Sequence, residues 1–371
     1  MKRLLITVGL CLLPLCFFAQ SEAADGDAGT VLKTLDLAAW DRWFQSQAPE
    51  LGFSPSDFAY EIADASLSDG DALFDAVRAL FRQNRKSAFG KCALYVGLAV
   101  LAAAQRGLAP SSPIAETSTV AFRAAAASAV LISVAAELRT AAHALSLAND
   151  TSEVLLPILL GVLTLGGMEN SAAALSASFS LYTSAAIRVM QGVVVPLACV
   201  GGVFCAMDAS ETARLSALGR LLLRASKWVL GVIAALFGLF GTVRGAAAAS
   251  ADGYLLRTVK LTAGSFPVVG GMVSGSAEAV YQCLLLVKNA VGLTGLTLIL
   301  LLAAKPVASL FLSRCALRCA RALSEPLAGR TYSDLLHALS DTLQVFLLTE
   351  IAAFGLLALA AVPMLRIGGG L

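Results

Sequence analysis

Leu284-Leu285-Leu286-Val287-Lys288-Asn289-Ala290-Val291-Gly292-Leu293-Thr294-Gly295-Leu296-Thr297-Leu298-Ile299-Leu300-Leu301-Leu302-Ala303-Ala304 decides the fold class. Over these 21 residues the chain carries one charge, Lys288. At ~1.5 Å per residue such a helix is ~31 Å long, which is the thickness of a bilayer's hydrocarbon core. Strand-type alternation is absent, so a barrel is not indicated, and only a helix satisfies this backbone in lipid. Further apolar stretches stand at 92–105, 120–137, 154–168, 171–188, 189–207, 228–248 and 341–363. Several fall short of the ~20 residues a straight span needs, so some are half-helices or borrow their flanks. The reading is all-α: a polytopic helical membrane protein with about 7–8 transmembrane helices.

Composition agrees. Of 371 residues, 58% are hydrophobic and 14% charged, and the mean hydropathy is +0.78. An average soluble domain is about 25% charged. Disorder needs the opposite balance, and 8 Cys in so long a chain make no disulfide scaffold. The net charge of +2 gives no basis for a nucleic-acid partner. With 2 His, a His-built metal site or His-based catalysis is not expected.

Residues 1–23 read as a secretory signal peptide, with an uncleaved signal anchor as the alternative. Lys2 and Arg3 precede an apolar run from Leu4 to Phe18, and Ser21-Glu22-Ala23 offers small residues at the cleavage positions. Leu13-Pro14-Leu15-Cys16 is a poor lipobox, because the residue before the Cys is not small. The following segment, 24–91, should therefore lie outside the cytoplasm. Over 24–80 it holds 11 acids against Lys33, Arg42 and Arg78, a net charge of −8. Trp40, Trp43 and Phe44 recur at helical spacing. Leu73, Phe74, Val77, Leu80 and Phe81 do the same. Ser54-Pro55-Ser56-Asp57 and Ser68-Asp69-Gly70 read as turns that start helices. Two readings are open: amphipathic helices lying on the membrane or the bundle, which is the simpler, or a docking surface for an exported partner.

Residues 92–371 form the membrane domain. Arg214, Arg220, Arg224 and Lys227 cluster in one loop, and Arg314, Arg318, Arg321 and Arg330 in another. Two spans separate the loops, so both can face the cytoplasm, with 249–275 and the C-terminus outside. Arg82, Arg85, Lys86 and Lys91 disagree, since this topology puts them outside too. Charges within apolar stretches face protein or water; they are Arg123, Arg188, Arg244, Lys288 and Glu350. For Arg123, Arg244 and Lys288, snorkelling to the interface explains as much as a polar path does. Glu350 sits nearer mid-span and predicts a buried pair, with an Arg as one candidate partner that spacing does not identify. Gly245 to Ser250, and Gly292 with Gly295, give small surfaces for close helix approach and homo-oligomerisation. Cys315 and Cys319, one turn apart, read as two small buried residues rather than a metal or redox site. No nucleophile–base pair, phosphate loop or metal set stands out, so neither a catalytic residue nor a cofactor is expected.

The most distinctive stretch is 251–295. Asp252-Gly253 breaks the preceding span, and Arg257 and Lys260 share one face of a short helix. Pro267 and Gly270-Gly271 interrupt the apolar run before the next span. Two readings fit residues 249–283: a broken, re-entrant element lining a cavity, or an exported loop with an amphipathic helix.

This stretch resembles the stage III sporulation protein AE family of endospore-forming bacteria. The resemblance rests on Asp252-Gly253 with Arg257-Thr258-Val259-Lys260, on Pro267-Val268-Val269-Gly270-Gly271-Met272, and on Leu285-Leu286-Val287-Lys288-Asn289-Ala290-Val291-Gly292, in that order and spacing. It extends over most of the chain, to a Pro326-Leu327-Ala328-Gly329 turn. Gly271 departs from a basic residue and Val259 from an Ala in the family pattern. The resemblance implies a multi-pass protein of the mother-cell (outer forespore) membrane, in a secretion-like channel complex. It implies as partners the other stage III sporulation A-operon proteins, a cytoplasmic secretion-type ATPase among them, and forespore protein Q. It implies assembly rather than catalysis, with Asp252, Gly253, Arg257, Lys260, Pro267, Gly270, Lys288, Asn289 and Glu350 as channel or assembly residues. The competing expectation is an independent secondary transporter of a small solute, with Lys288 and Glu350 at a midplane site.

Overall fold

The computed structural model describes residues 38–49, 54–63, 70–108, 113–165, 180–208, 217–239, 270–328 and 330–366. All but a few of them are helical. The helices are α1 (Ala38–Gln47), α2 (Pro55–Ala63), α3 (Gly70–Leu108), α4 (Pro113–Leu165), α5 (residues 180–208), α6 (Ala217–Leu239), α7 (Gly270–Ala328) and α8 (Arg330–Arg366).

Residue pairs fix the helix directions. Lys91 of α3 meets Glu137 of α4 and Tyr95 meets Ser133, so these two helices are antiparallel. Asn84 of α3 reaches the Lys305 carbonyl of α7 and Lys91 reaches Ser313, so these two run parallel. Glu137 and Leu155 of α4 meet Ser309 and Gly295 of α7 in reverse order. Tyr182 and Gly201 of α5 meet Ile233 and Gly219 of α6 in reverse order as well. Arg321 meets Ser333 across the turn between α7 and α8. From α3 to α8, successive helices therefore alternate in direction.

Two apolar clusters are stacked along this bundle. One joins Trp40, Phe44, Leu155, Ile187, Phe237, Leu298 and Phe354. The other joins Tyr95, Val134, Val194, Leu223, Leu317 and Phe346. The innermost helices are α7 and α8: 56% and 61% of their apolar windows are buried, against 28% in α4, α5 and α6. These two form a central hairpin wrapped by the others. By length and composition, five helices among the described residues can cross a membrane.

The eight apolar stretches are not eight helices. Those at 120–137 and 154–168 share α4 as far as Leu165, because residues 138–153 contain no Gly or Pro to stop it. The stretches 171–188 and 189–207 run together in α5 from residue 180, where Arg188 is exposed and needs no break. A π-turn, Met190–Val194, stands just before Pro196. The wider turn gives room for a ring that would otherwise press on the carbonyl four residues back.

Residues 1–23, which the sequence reads as a signal peptide, lie outside the described residues. Within residues 24–91, α2 starts where the Ser54-Pro55 turn predicts. The Asp57 amide donates to Ser54 Oγ at 3.4 Å, with Pro55 at the first helical position, where no amide is needed. Asp41 of α1 accepts the Ser56 amide at 3.0 Å and so ties α1 to α2. Trp40 and Phe44 are wholly buried in the bundle's first cluster. The apolar face of α1 thus packs on the bundle itself.

Candidate functional site

One layer of the bundle brings several described polar side chains together. Lys91 lies in the polar half of α3, just before its apolar stretch, and Glu137 closes the apolar stretch of α4. The two side chains form an ion pair, 23% and 9% exposed. Lys91 also donates to Ser313 Oγ at 3.2 Å, and Ser309 Oγ donates to the other Glu137 oxygen at 3.1 Å. Ser309 and Ser313 are one turn apart on α7, so a single face of the inner hairpin holds both partners of the pair. Beside them, Tyr95 hydrogen-bonds Ser133 at 2.9 Å, and Tyr332 of α8 donates to the Tyr95 carbonyl at 3.0 Å. Four helices are thereby tied together by charge and hydrogen bonds where an apolar bundle would use packing alone.

Glu350 is the second feature. It is 0% exposed on α8, between the clusters that hold Leu347 and Ala353. Neither carboxylate oxygen has a hydrogen-bond partner among the described residues. The sequence pointed to a buried acid in a pair, an Arg being one candidate partner that spacing does not identify. The burial holds, and the Arg partner is not found among the described residues. Lys288 is 5% exposed within the first cluster's stretch of α7, so it does not snorkel. Asn289 beside it is half-buried.

Gly270 is the first residue of α7, and residues 270–283 are helical and continuous with the following span. Asp252, Gly253, Arg257, Lys260 and Pro267 lie outside the described residues, as do 249–269 as a whole and the Gly245 to Ser250 run. Cys315 is half-buried and Cys319 exposed. Among the described residues no group of three His, Cys, Asp or Glu side chains could hold a metal ion.

Sequence reasoning did not single out the Lys91–Glu137 pair. Its trace in the sequence is Lys91 as a topological misfit. The pairing with α7 places residues 84–91 alongside 305–313, within the bundle, which removes that misfit for Lys91.

The family model described as stage III sporulation protein AE matches residues 68–368. Among curated proteins, the stage III sporulation protein AE of Bacillus subtilis (strain 168) is 27% identical over 219 residues. That alignment covers 58% of this chain and 55% of the relative, so the match spans about half the relative's length. No solved structure matches the chain.

Proposed function

The chain belongs to the stage III sporulation protein AE family, and we propose that it is a membrane subunit of a secretion-like channel apparatus linking mother cell and forespore. Its role there is permease-like or that of an export gate, and it is needed for forespore development. The observation that carries this reading is the polar layer. Ionisable groups inside an apolar bundle are costly as adhesive, and they mark paths or contacts that move. In this reading the protein acts by assembly, with no catalytic residues. Its partners are other stage III sporulation A-operon proteins, including a cytoplasmic secretion-type ATPase, forespore protein Q, further copies of itself and membrane lipid. Imaging a fluorescent fusion through sporulation tests it. Enrichment in the membrane around the engulfed forespore is expected; a uniform signal in vegetative cells contradicts it.

A second reading, an independent secondary transporter, is favoured by buried Lys288 and Glu350 on the inner hairpin. Solute uptake by the protein alone in vesicles would select it. Uptake that needs other subunits would not.

The channel reading predicts a split outcome for Glu350→Leu. Replacing a buried acid that has no hydrogen-bond partner among the described residues by an apolar residue of similar size removes a desolvation cost, so stability should hold or rise. Thermal unfolding of the purified protein should show no loss of stability, while heat-resistant spores fall. Normal spore counts with higher stability would reduce Glu350 to a packing defect.

A further inference from the structure

We propose that Glu350 is a proton-binding site of the inner hairpin, holding its proton while the helices are packed as here and releasing it when they repack at the π-turn of α5 and at Pro306 of α7. This deepens the proposed function by naming what regulates the polar layer, and only its cellular arm rests on that reading.

Glu350 is fully buried, and both its oxygens lack a hydrogen-bond donor among the described residues. Leu347, Ala353 and Phe354 around it on α8 are buried and apolar. A bare carboxylate in such surroundings has neither water nor a counter-charge. Among the described residues, no ionisable group of the neighbouring helices hydrogen-bonds or ion-pairs with it. From α4, Glu137 has the same sign, and its own charge is held by Lys91 of α3. From α7, Lys305 is exposed, and Lys288 sits in the first cluster's stretch. From α5, Arg188 is exposed. A metal ion is a poor occupant, because no group of three His, Cys, Asp or Glu side chains converges among the described residues. A proton needs no more than the carboxyl itself. Loading forms one O–H bond on a Glu350 oxygen, and release returns that proton to water or to Glu137. The Met190–Val194 π-turn of α5 and Pro306 within α7 lie between the two clusters, and π-turns and prolines are the places where helices bend.

The test is infrared spectroscopy of the full chain in lipid vesicles at neutral pH, reading the C=O stretch of a protonated carboxylic acid. Wild type should show this band and shift it in heavy water. E350Q should lose it, E350D should keep it at a changed frequency, and E137Q should leave it in place. An acid band unchanged in E350Q overturns the proposal. If E350Q does not fold, a band that E350D leaves unchanged does the same. In sporulating cells a stably made E350Q, neutral and unable to exchange a proton, should give about tenfold fewer heat-resistant spores or worse. Wild-type counts would overturn the release step. The spectroscopy needs no sporulation, so its failure is distinct from failure of the functional reading.

Discussion

Gly219→Leu should disrupt the α5–α6 hairpin. A Cβ on Gly219 would lie 2.5 Å from Cys205 Sγ, 2.7 Å from the Gly201 carbonyl oxygen and 2.8 Å from the Cys205 amide nitrogen. Two of these atoms are backbone and cannot rotate away. The contact is closed from both sides, because Gly201 faces Gly219 in turn and Gly202 is pressed against Thr342 of α8, where a Cβ would meet Oγ1 at 2.4 Å. Overpacking an ordinary core costs about 1–3 kcal/mol, with side chains absorbing part of the strain. Here helix axes must separate, and the hairpin's grip on α8 loosens with them. We expect about 3 kcal/mol or more from Gly219→Leu, and a clear loss even from Gly219→Ala. Gly231→Leu is the control, since nothing lies within 4 Å of its Cβ position. Thermal unfolding and protease resistance in detergent read the difference. Equal stability of both leucine variants would remove the close approach from the account.

Charge reversal at Lys91 or Glu137 should be the second severe change. Lys91→Glu sets two carboxylates against each other in a layer with little water, and Glu137→Lys sets two ammonium groups there. Breaking a buried pair costs about 3–5 kcal/mol, and the partial exposure of Lys91 lowers the expectation to about 2–3 kcal/mol. The double exchange, Lys91→Glu with Glu137→Lys, should recover most of it. Ser309 and Ser313 allow this, because a hydroxyl donates to a carboxylate and accepts from an ammonium equally well. Unfolding temperatures of the two single variants and the double variant check the prediction. No recovery in the double variant would mean that the side chains do not meet.

Membrane class, helix type and family were legible from local facts: one charge in the 21 residues 284–304, and three motifs in register across 252–292. The α2 start was legible too, because a Ser-Pro turn is read from adjacent residues. The helix count was harder. Residues 138–153 are polar enough to look like a loop, yet they lack any breaker, and a helix continues where tertiary packing covers one face. Glu350 was visible as a charge inside an apolar run, but an ion-pair partner is a question of distance in space. Lys91 and Glu137 are 46 residues apart, and Ser309 is 172 residues from Glu137. No spacing rule joins them. Likewise Gly201, Gly202 and Gly219 were three of 31 glycines, and the more conspicuous small-residue runs drew attention instead. What sets them apart is the backbone each one faces.

The central claim is that alternating helices bring α3, α4 and the inner hairpin together in one polar layer. Cysteine cross-linking in native membranes tests it most directly, in a chain whose 8 native cysteines are replaced. Cysteines at Lys91 and Glu137, whose long side chains meet at their tips, should be joined by a short bifunctional thiol reagent, whereas cysteines at Lys91 and Glu153, 16 residues farther along α4, should not. Cross-linking of the second pair, or failure of the first in folded protein, would contradict the account.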